Sequence, residues 1–155
     1  MSRYIERAED LTRLLAVTFH SLLDAGNTDS EPEWRPVVAM MHEEELFQKD
    51  YKEYSASNVI DFMLWNGANP NALVWCMTMA RENARSVRDQ ISKEMWEYLN
   101  RLYFRVKETN KASVAPALLE FFAQLRDGCQ AFQGITNETM THSEAYQFIQ
   151  LGKHL

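Results

Sequence analysis

An all-α fold follows from three features of the sequence. Apolar residues recur at three- and four-residue spacing along most of it, glycine and proline are scarce, and no stretch reads convincingly as a strand. The chain has 155 residues with only 5 Gly and 4 Pro. So few breaks favour long helices joined by few turns. The length suits one domain with a sizeable hydrophobic core. The expectation is a single α-helical domain over residues 1–155, a bundle of about six or seven helices with short connections.

The first helix is expected from Tyr4 to about Asp24, because Ile5, Ala8, Leu11, Leu15, Phe19 and Leu22 share one face. Gly26-Asn27-Thr28-Asp29 ends it. A second starts near Glu31, where Ser30 and Glu33 have capping-box spacing and Pro32 is tolerated in the first turn. Its apolar side is Trp34, Val37, Val38 and Met41, and it runs to about Phe47. Gln48 to Tyr54 reads as irregular. Ser55 or Ser57 caps a short helix through Val59, Ile60, Met63 and Leu64, which Asn66-Gly67 stops. Asn69 is the expected cap of a long helix over roughly 70–90, with Pro70 at its first position. Ser92 caps a helix over 93–108. Asn110 to Ser113 is a linker, and a helix over about 114–132 follows. Gly134 to Asn137 reads as a loop, and Thr141 with Glu144 forms a second capping box before the last helix. The Trp and Phe residues on these stripes read as core.

The formal charge of −6 and the absence of a basic run argue against nucleic-acid binding. The longest uncharged stretch, Phe62 to Ala80, is cut by Asn66, Gly67, Asn69, Pro70 and Asn71, so neither half spans a membrane. Met1 leads directly into a charged amphipathic segment with no signal-peptide pattern. The two cysteines, Cys76 and Cys129, have no metal or disulfide spacing. A reducing, cytoplasmic location is expected.

Charge placement singles out a few residues. Helix one carries Arg3, Glu6, Arg7, Glu9, Asp10 and Arg13. Glu9 and Arg13 can pair, whereas Glu6 with Asp10 and Arg3 with Arg7 are like charges four apart. This is either a solvated face or an inter-helix network in which Glu6 and Arg7 find partners across a groove. The expected partner is the stretch with Arg81, Arg85 and Arg88 at 0, +4 and +7, beside Met77, Ala80, Ala84, Val87 and Ile91. Arginine's planar fork suits carboxylates, and equally a bound phosphate or substrate carboxylate. The residues to watch as an anion- or partner-binding cluster are therefore Glu6, Glu9 and Arg7 with Arg81, Arg85 and Arg88. In a buried network, truncating Glu6 or Arg85 would cost far more stability than a surface change. No metal site is expected: no Glu-x-x-His occurs, and His42-Glu43-Glu44-Glu45-Leu46 lacks the second histidine of a zinc-protease helix. No Walker loop, dinucleotide fingerprint or nucleophile elbow occurs either, and no cofactor is expected.

Four segments taken together resemble one family. Arg3 to Glu9, Tyr54 to Phe62, Ala80 to Arg88 and Glu94 to Asn100 are similar, in this order, to motifs of the bacterial alpha-E domain family, named for its helices and a Glu-Arg motif. The resemblance covers the whole chain. It implies an α-helical domain, possession of the Glu6-Arg7 motif, and partnership with ATP-grasp-type ligases and transglutaminase-like proteins in making or modifying an amide-linked product. It does not say whether the domain performs chemistry. The first reading is a helical partner or substrate-presenting module for such a ligase. The alternatives are an enzyme or half-site that binds an anionic peptide or nucleotide, and a purely structural or interaction domain. Leu151 to Leu155 also match Met1 to Ile5 type for type, which suggests one repeat unit of a longer protein. A unit cut from a repeat leaves apolar surface for a second copy, so a homodimer is expected.

Overall fold

The computed structural model describes residues 1–109, 114 and 117–154. It is an all-α bundle, and among the described residues it has eight helices and no strand. In chain order they are α1 (Ser2–Asp24), α2 (Glu31–Met40), α3 (Glu44–Asp50), α4 (Ala56–Trp65), α5 (Leu73–Ser86), α6 (Lys93–Glu108), α7 (Leu118–Thr139) and α8 (Glu144–Lys153). The linker expected at Asn110 to Ser113 lies outside the described residues.

Helix α1 is the axis of the bundle. It packs against α5 and α7 and is also touched by α2, α4 and α8. Its apolar stripe explains this: Ile5, Ala8, Leu11, Leu15 and Leu22 are all buried. Ala80 and Ala84 of α5 are completely buried and small, and α5 packs on α1. Helices α6 and α7 close the far side. Their contact is tight at Gly128, where an added Cβ would stand 2.5 Å from Leu102 Cδ2.

Several expected elements shift, each for a local reason. The stretch expected as one helix from Glu31 to Phe47 breaks into α2 and α3 at His42, which takes a left-handed backbone (φ 57°). The turn swings Phe47 inward, where its ring stacks on Tyr51 and Tyr54 at 5.0 and 4.6 Å and meets Phe62 edge-on. Burying that cluster outweighs continuing the helix. The same turn extends helix into Gln48 to Asp50, expected to be irregular. Helix α5 starts at Leu73, not at Pro70. Asn69 is fully buried and closes a turn instead: its side chain donates to the Phe62 carbonyl at 3.1 Å and accepts from the Asn71 N–H at 2.9 Å.

Residues 87–92 separate α5 from α6, and Ser92 caps α6 by accepting from the Met95 N–H at 3.1 Å. The Gly134–Asn137 stretch, expected as a loop, is helical. Thr136 is buried there, with its hydroxyl bonded to the Phe132 carbonyl at 2.9 Å, and so stays in the packed face of α7. Neither expected capping box forms: Ser30 caps α2 without a side-chain bond, and α8 starts after Ser143.

Helix α8 is held differently from the rest. None of its residues is buried, and Phe148 is 72% exposed. Its C-terminal half lies along the first turn of α1, where a methyl on Gly152 would sit 3.9 Å from the Arg3 nitrogen. Gly152 of the last segment thus lies beside Arg3 of the first, and the two segments are similar in sequence pattern.

Gly128→Val is expected to force Leu102 out of a packed position and to cost about 1–3 kcal/mol, despite valine's better helix propensity than glycine. Urea unfolding of the variant checks this, and an unchanged midpoint would show that α6 and α7 are loosely packed there.

Candidate functional site

Glu9 sits on the buried stripe of α1, one turn after Ile5, and is only 5% exposed. A carboxylate there needs donors. It accepts from Arg13 Nη2 at 3.1 Å, Gln130 Nε2 at 3.0 Å and Gln133 Nε2 at 3.1 Å. Arg13 is one turn away on the same helix, whereas both glutamines come from α7. Glu6, a turn earlier, faces the same helix: Gln133 Nε2 donates to its Oε1 at 2.6 Å, and Lys153 Nζ of α8 stands 3.7 Å from it. Lys153 also donates to Gln133 Oε1 at 2.8 Å. Gln133 therefore ties both carboxylates and the last helix together. The recess beside Glu6 has a volume of about 20 Å³. That is room for one water, far below the few hundred Å³ of a small-molecule site.

Burial raises the Glu6 carboxyl above its ordinary value of 4.5, and the charges of Glu9 and Asp10 add to this while Lys153 opposes it. Burial likewise pushes the two free thiols up, Cys76 to about 11 and Cys129 to about 12, the latter helped by the charges of Glu9 and Glu6. Both thiols are packed in the core and poor nucleophiles at neutral pH.

Arg7 goes the other way. Consecutive helical residues point about 100° apart, and Arg7 Nη2 donates to Asn71 Oδ1 in the turn before α5. Asn71 in turn donates through Nδ2 to Glu43 Oε1 at 2.9 Å and to the Met41 carbonyl at 3.4 Å. One side chain thus joins α1, the α2–α3 turn and the start of α5.

The three arginines of the sequence analysis do not meet Glu6 or Glu9. Arg81 is three-quarters covered. Its Nε donates to Asn100 Oδ1 at 2.7 Å, and its Nη1 lies 3.3 Å from Glu82. Arg85 is 72% exposed with a loose 3.8 Å contact to Glu82. Arg88 is exposed and donates to the Ile91 carbonyl at 3.5 Å. The expected network across a groove between helix one and this stretch does not form: small residues bring α1 and α5 together, and the arginines turn outward towards α6. The expected high cost of truncating Arg85 goes with it. Charge-based reading also passed over Gln130, Gln133 and Asn71, because amides carry no charge to pair. Their signal was the i, i+3 spacing of two glutamines beside the buried Cys129 and Phe132.

Among the described residues no group of three or more His, Cys, Asp or Glu stands where it could hold a metal ion. No helix among them is long and apolar enough to cross a membrane.

Residues 1–155 match the Alpha-E family, described as a predicted alpha-helical domain with a conserved ER motif. The chain belongs to the Alpha-E family. Glu6-Arg7 is its sole Glu-Arg dipeptide, so the motif that defines Alpha-E proteins is the pair that fastens α1 on two sides. Uncharacterised proteins of Mycobacterium bovis and of two Mycobacterium tuberculosis strains are 29% identical over 174 aligned residues, covering 100% of this chain and 20% of each relative. The chain therefore spans about a fifth of the length of the curated relatives it matches. No solved structure matches it significantly.

Glu9→Ala removes the acceptor shared by Gln130, Gln133 and Arg13 and is expected to cost about 1–3 kcal/mol, whereas Arg85→Ala should cost less than about 0.5 kcal/mol. Urea unfolding at neutral pH compares them, and equal midpoints would place Glu9 outside the load-carrying contacts.

The raised Glu6 carboxyl has a pH consequence. It holds its proton more tightly folded than unfolded, so this contribution is complete below the ordinary value of 4.5 and is lost as pH climbs through the folded value. The stability of the parent relative to Glu6→Gln should therefore fall as pH rises above the ordinary value of 4.5. Paired unfolding curves measure that difference, and a constant or rising one would contradict the assignment.

Proposed function

We propose that this Alpha-E chain is a structural interaction domain, a helical unit that its Glu-Arg motif holds rigid and that works through its outer surfaces. The observation that carries the reading is the fate of the motif's charges. Glu6 is bonded to Gln133 and Lys153 and Arg7 to Asn71, so both serve the bundle's own side chains. The recess beside Glu6, with room for one water, supports the same reading.

The resemblance in sequence makes an ATP-grasp-type ligase the first partner to test, with transglutaminase-like proteins after it. A cytoplasmic location is proposed in keeping with two free, buried thiols. The expected homodimer is proposed to use the side of α8. Phe148 and Leu151 are exposed there, next to a groove of about 480 Å³ lined by Val87, Ile91, Phe148 and Ile149 among others.

Co-expression of the chain with such a ligase, followed by gel filtration with light scattering and by calorimetry with ATP and glutamate, tests these readings together. Co-elution with the ligase, a mass above 18.1 kDa for the chain alone, and no heat with either small molecule are expected. Saturable heat with ATP or glutamate that vanishes in Glu6→Ala, in a variant that stays folded, would replace the interaction domain by a ligand site. A mass of 18.1 kDa at every concentration would defeat the dimer.

A further inference from the structure

The outer face of α5 and α6 carries cations and aromatic rings in alternation. Arg88 stands over Trp96 with its guanidinium carbon 5.7 Å from the ring centre, and Arg81 lies 5.6 Å from the same ring. Arg81 is also 4.9 Å from the Tyr103 ring and 5.8 Å from Phe104, and Lys107 is 5.4 Å from Tyr103. In space the order is Arg88, Trp96, Arg81, Tyr103, Lys107, with exposed Arg85 alongside. Among the described residues, the carboxylate in ion-pair contact with this row is Glu82, which is shared between Arg81 and Arg85.

The charge of the whole molecule sets this face apart. The chain carries −6, yet residues 73–108 hold seven of its 16 basic side chains against five of its 22 acidic ones. The α5–α6 hairpin is thus net positive on an acidic protein. Arg81 is also preorganised: Asn100 fixes its Nε and the rings hold its plane, while its Nη2 has no partner among the described residues. A guanidinium fixed in this way loses little side-chain freedom when it meets an anion, and its fork matches a carboxylate. Trp96 already has two cations over its ring, and Tyr103 has Arg81 over its ring while Lys107 donates to its hydroxyl at 3.0 Å, which leaves little open face for a nucleobase to stack on.

We infer that this ladder is a docking site for an acidic protein segment, whose aspartate and glutamate carboxylates bind the outward N–H groups of Arg81, Arg85 and Arg88 while its apolar side chains cover Phe104. This rests on the interaction-domain reading and names the surface and the chemistry of the partner.

Fluorescence anisotropy on the whole chain tests it with a short labelled peptide alternating glutamate and leucine. The comparison probes are its glutamine counterpart and an oligothymidylate of equal charge. The expected result is saturable binding of the glutamate peptide that weakens with salt, with the glutamine peptide and the oligonucleotide each at least roughly tenfold weaker. Arg85→Glu combined with Arg88→Glu changes exposed residues only and should abolish binding. Trp96→Leu keeps every charge and should still weaken binding severalfold, because Arg81 and Arg88 lose the ring that holds them. Circular dichroism confirms that each variant is folded. No binding of the glutamate peptide, equal binding of the oligonucleotide, or indifference to either variant would each overturn the proposal. None of these outcomes alters the ligase and calorimetry results by which the interaction-domain reading stands or falls.

Discussion

A carboxylate placed in the core of a helical bundle must be hydrogen-bonded by whatever packs against it, and Glu9 imposes that condition on α1 and α7. It is almost fully buried and takes one donor from its own helix and two from α7. Apolar stripes alone allow two helices to slide or rotate with little change in buried area. Two directed bonds from α7 to one buried carboxylate do not. The register of α1 on α7 therefore rests on this contact, and Gln133 extends it to Glu6 and, through Lys153, to α8. The last helix buries no residue of its own, so these polar links carry much of its attachment.

The adjacent Glu6 and Arg7 divide the work because a helix cannot point consecutive side chains the same way. Glu6 looks towards α7 and α8, and Arg7 towards Asn71 and the turns that precede α3 and α5. The central helix is thereby fastened on two sides by one dipeptide. This gives a physical reason for a conserved Glu-Arg motif in an α-helical domain family. It also explains why Glu6 and Arg7 are not paired with each other, although they are neighbours of opposite charge.

Removing Arg81, Arg85 and Arg88 from the interior changes what they signify. Inside, three arginines would need three carboxylates or a bound anion. On the surface Arg81 and Arg88 are stabilised by aromatic faces, each contact contributing on the order of 0.5–1 kcal/mol at an exposed site, while Arg85 stands 3.8 Å from Glu82. The molecule thus acquires a positive face without buried charge, while its net charge stays at −6.

Helical periodicity by itself determined the all-α class, the apolar face of α1 and the bounds of α6, because those depend on side chains three and four positions apart in one segment. The Glu-Arg motif was likewise visible in sequence, as was the pairing of Glu9 with Arg13, one turn along the same helix. Only the tertiary structure decided where a helix had to break so that Phe47 could reach Tyr54 and Phe62. Only it decided that Asn69 closes a turn instead of capping a helix, and that the core carboxylates answer to glutamines of α7 and not to arginines of α5. The reason is the same in each case: these contacts join residues of different segments, and Gln130 lies 121 positions from Glu9. Local spacing ranks the faces of one helix. It says nothing about which other helix each face meets.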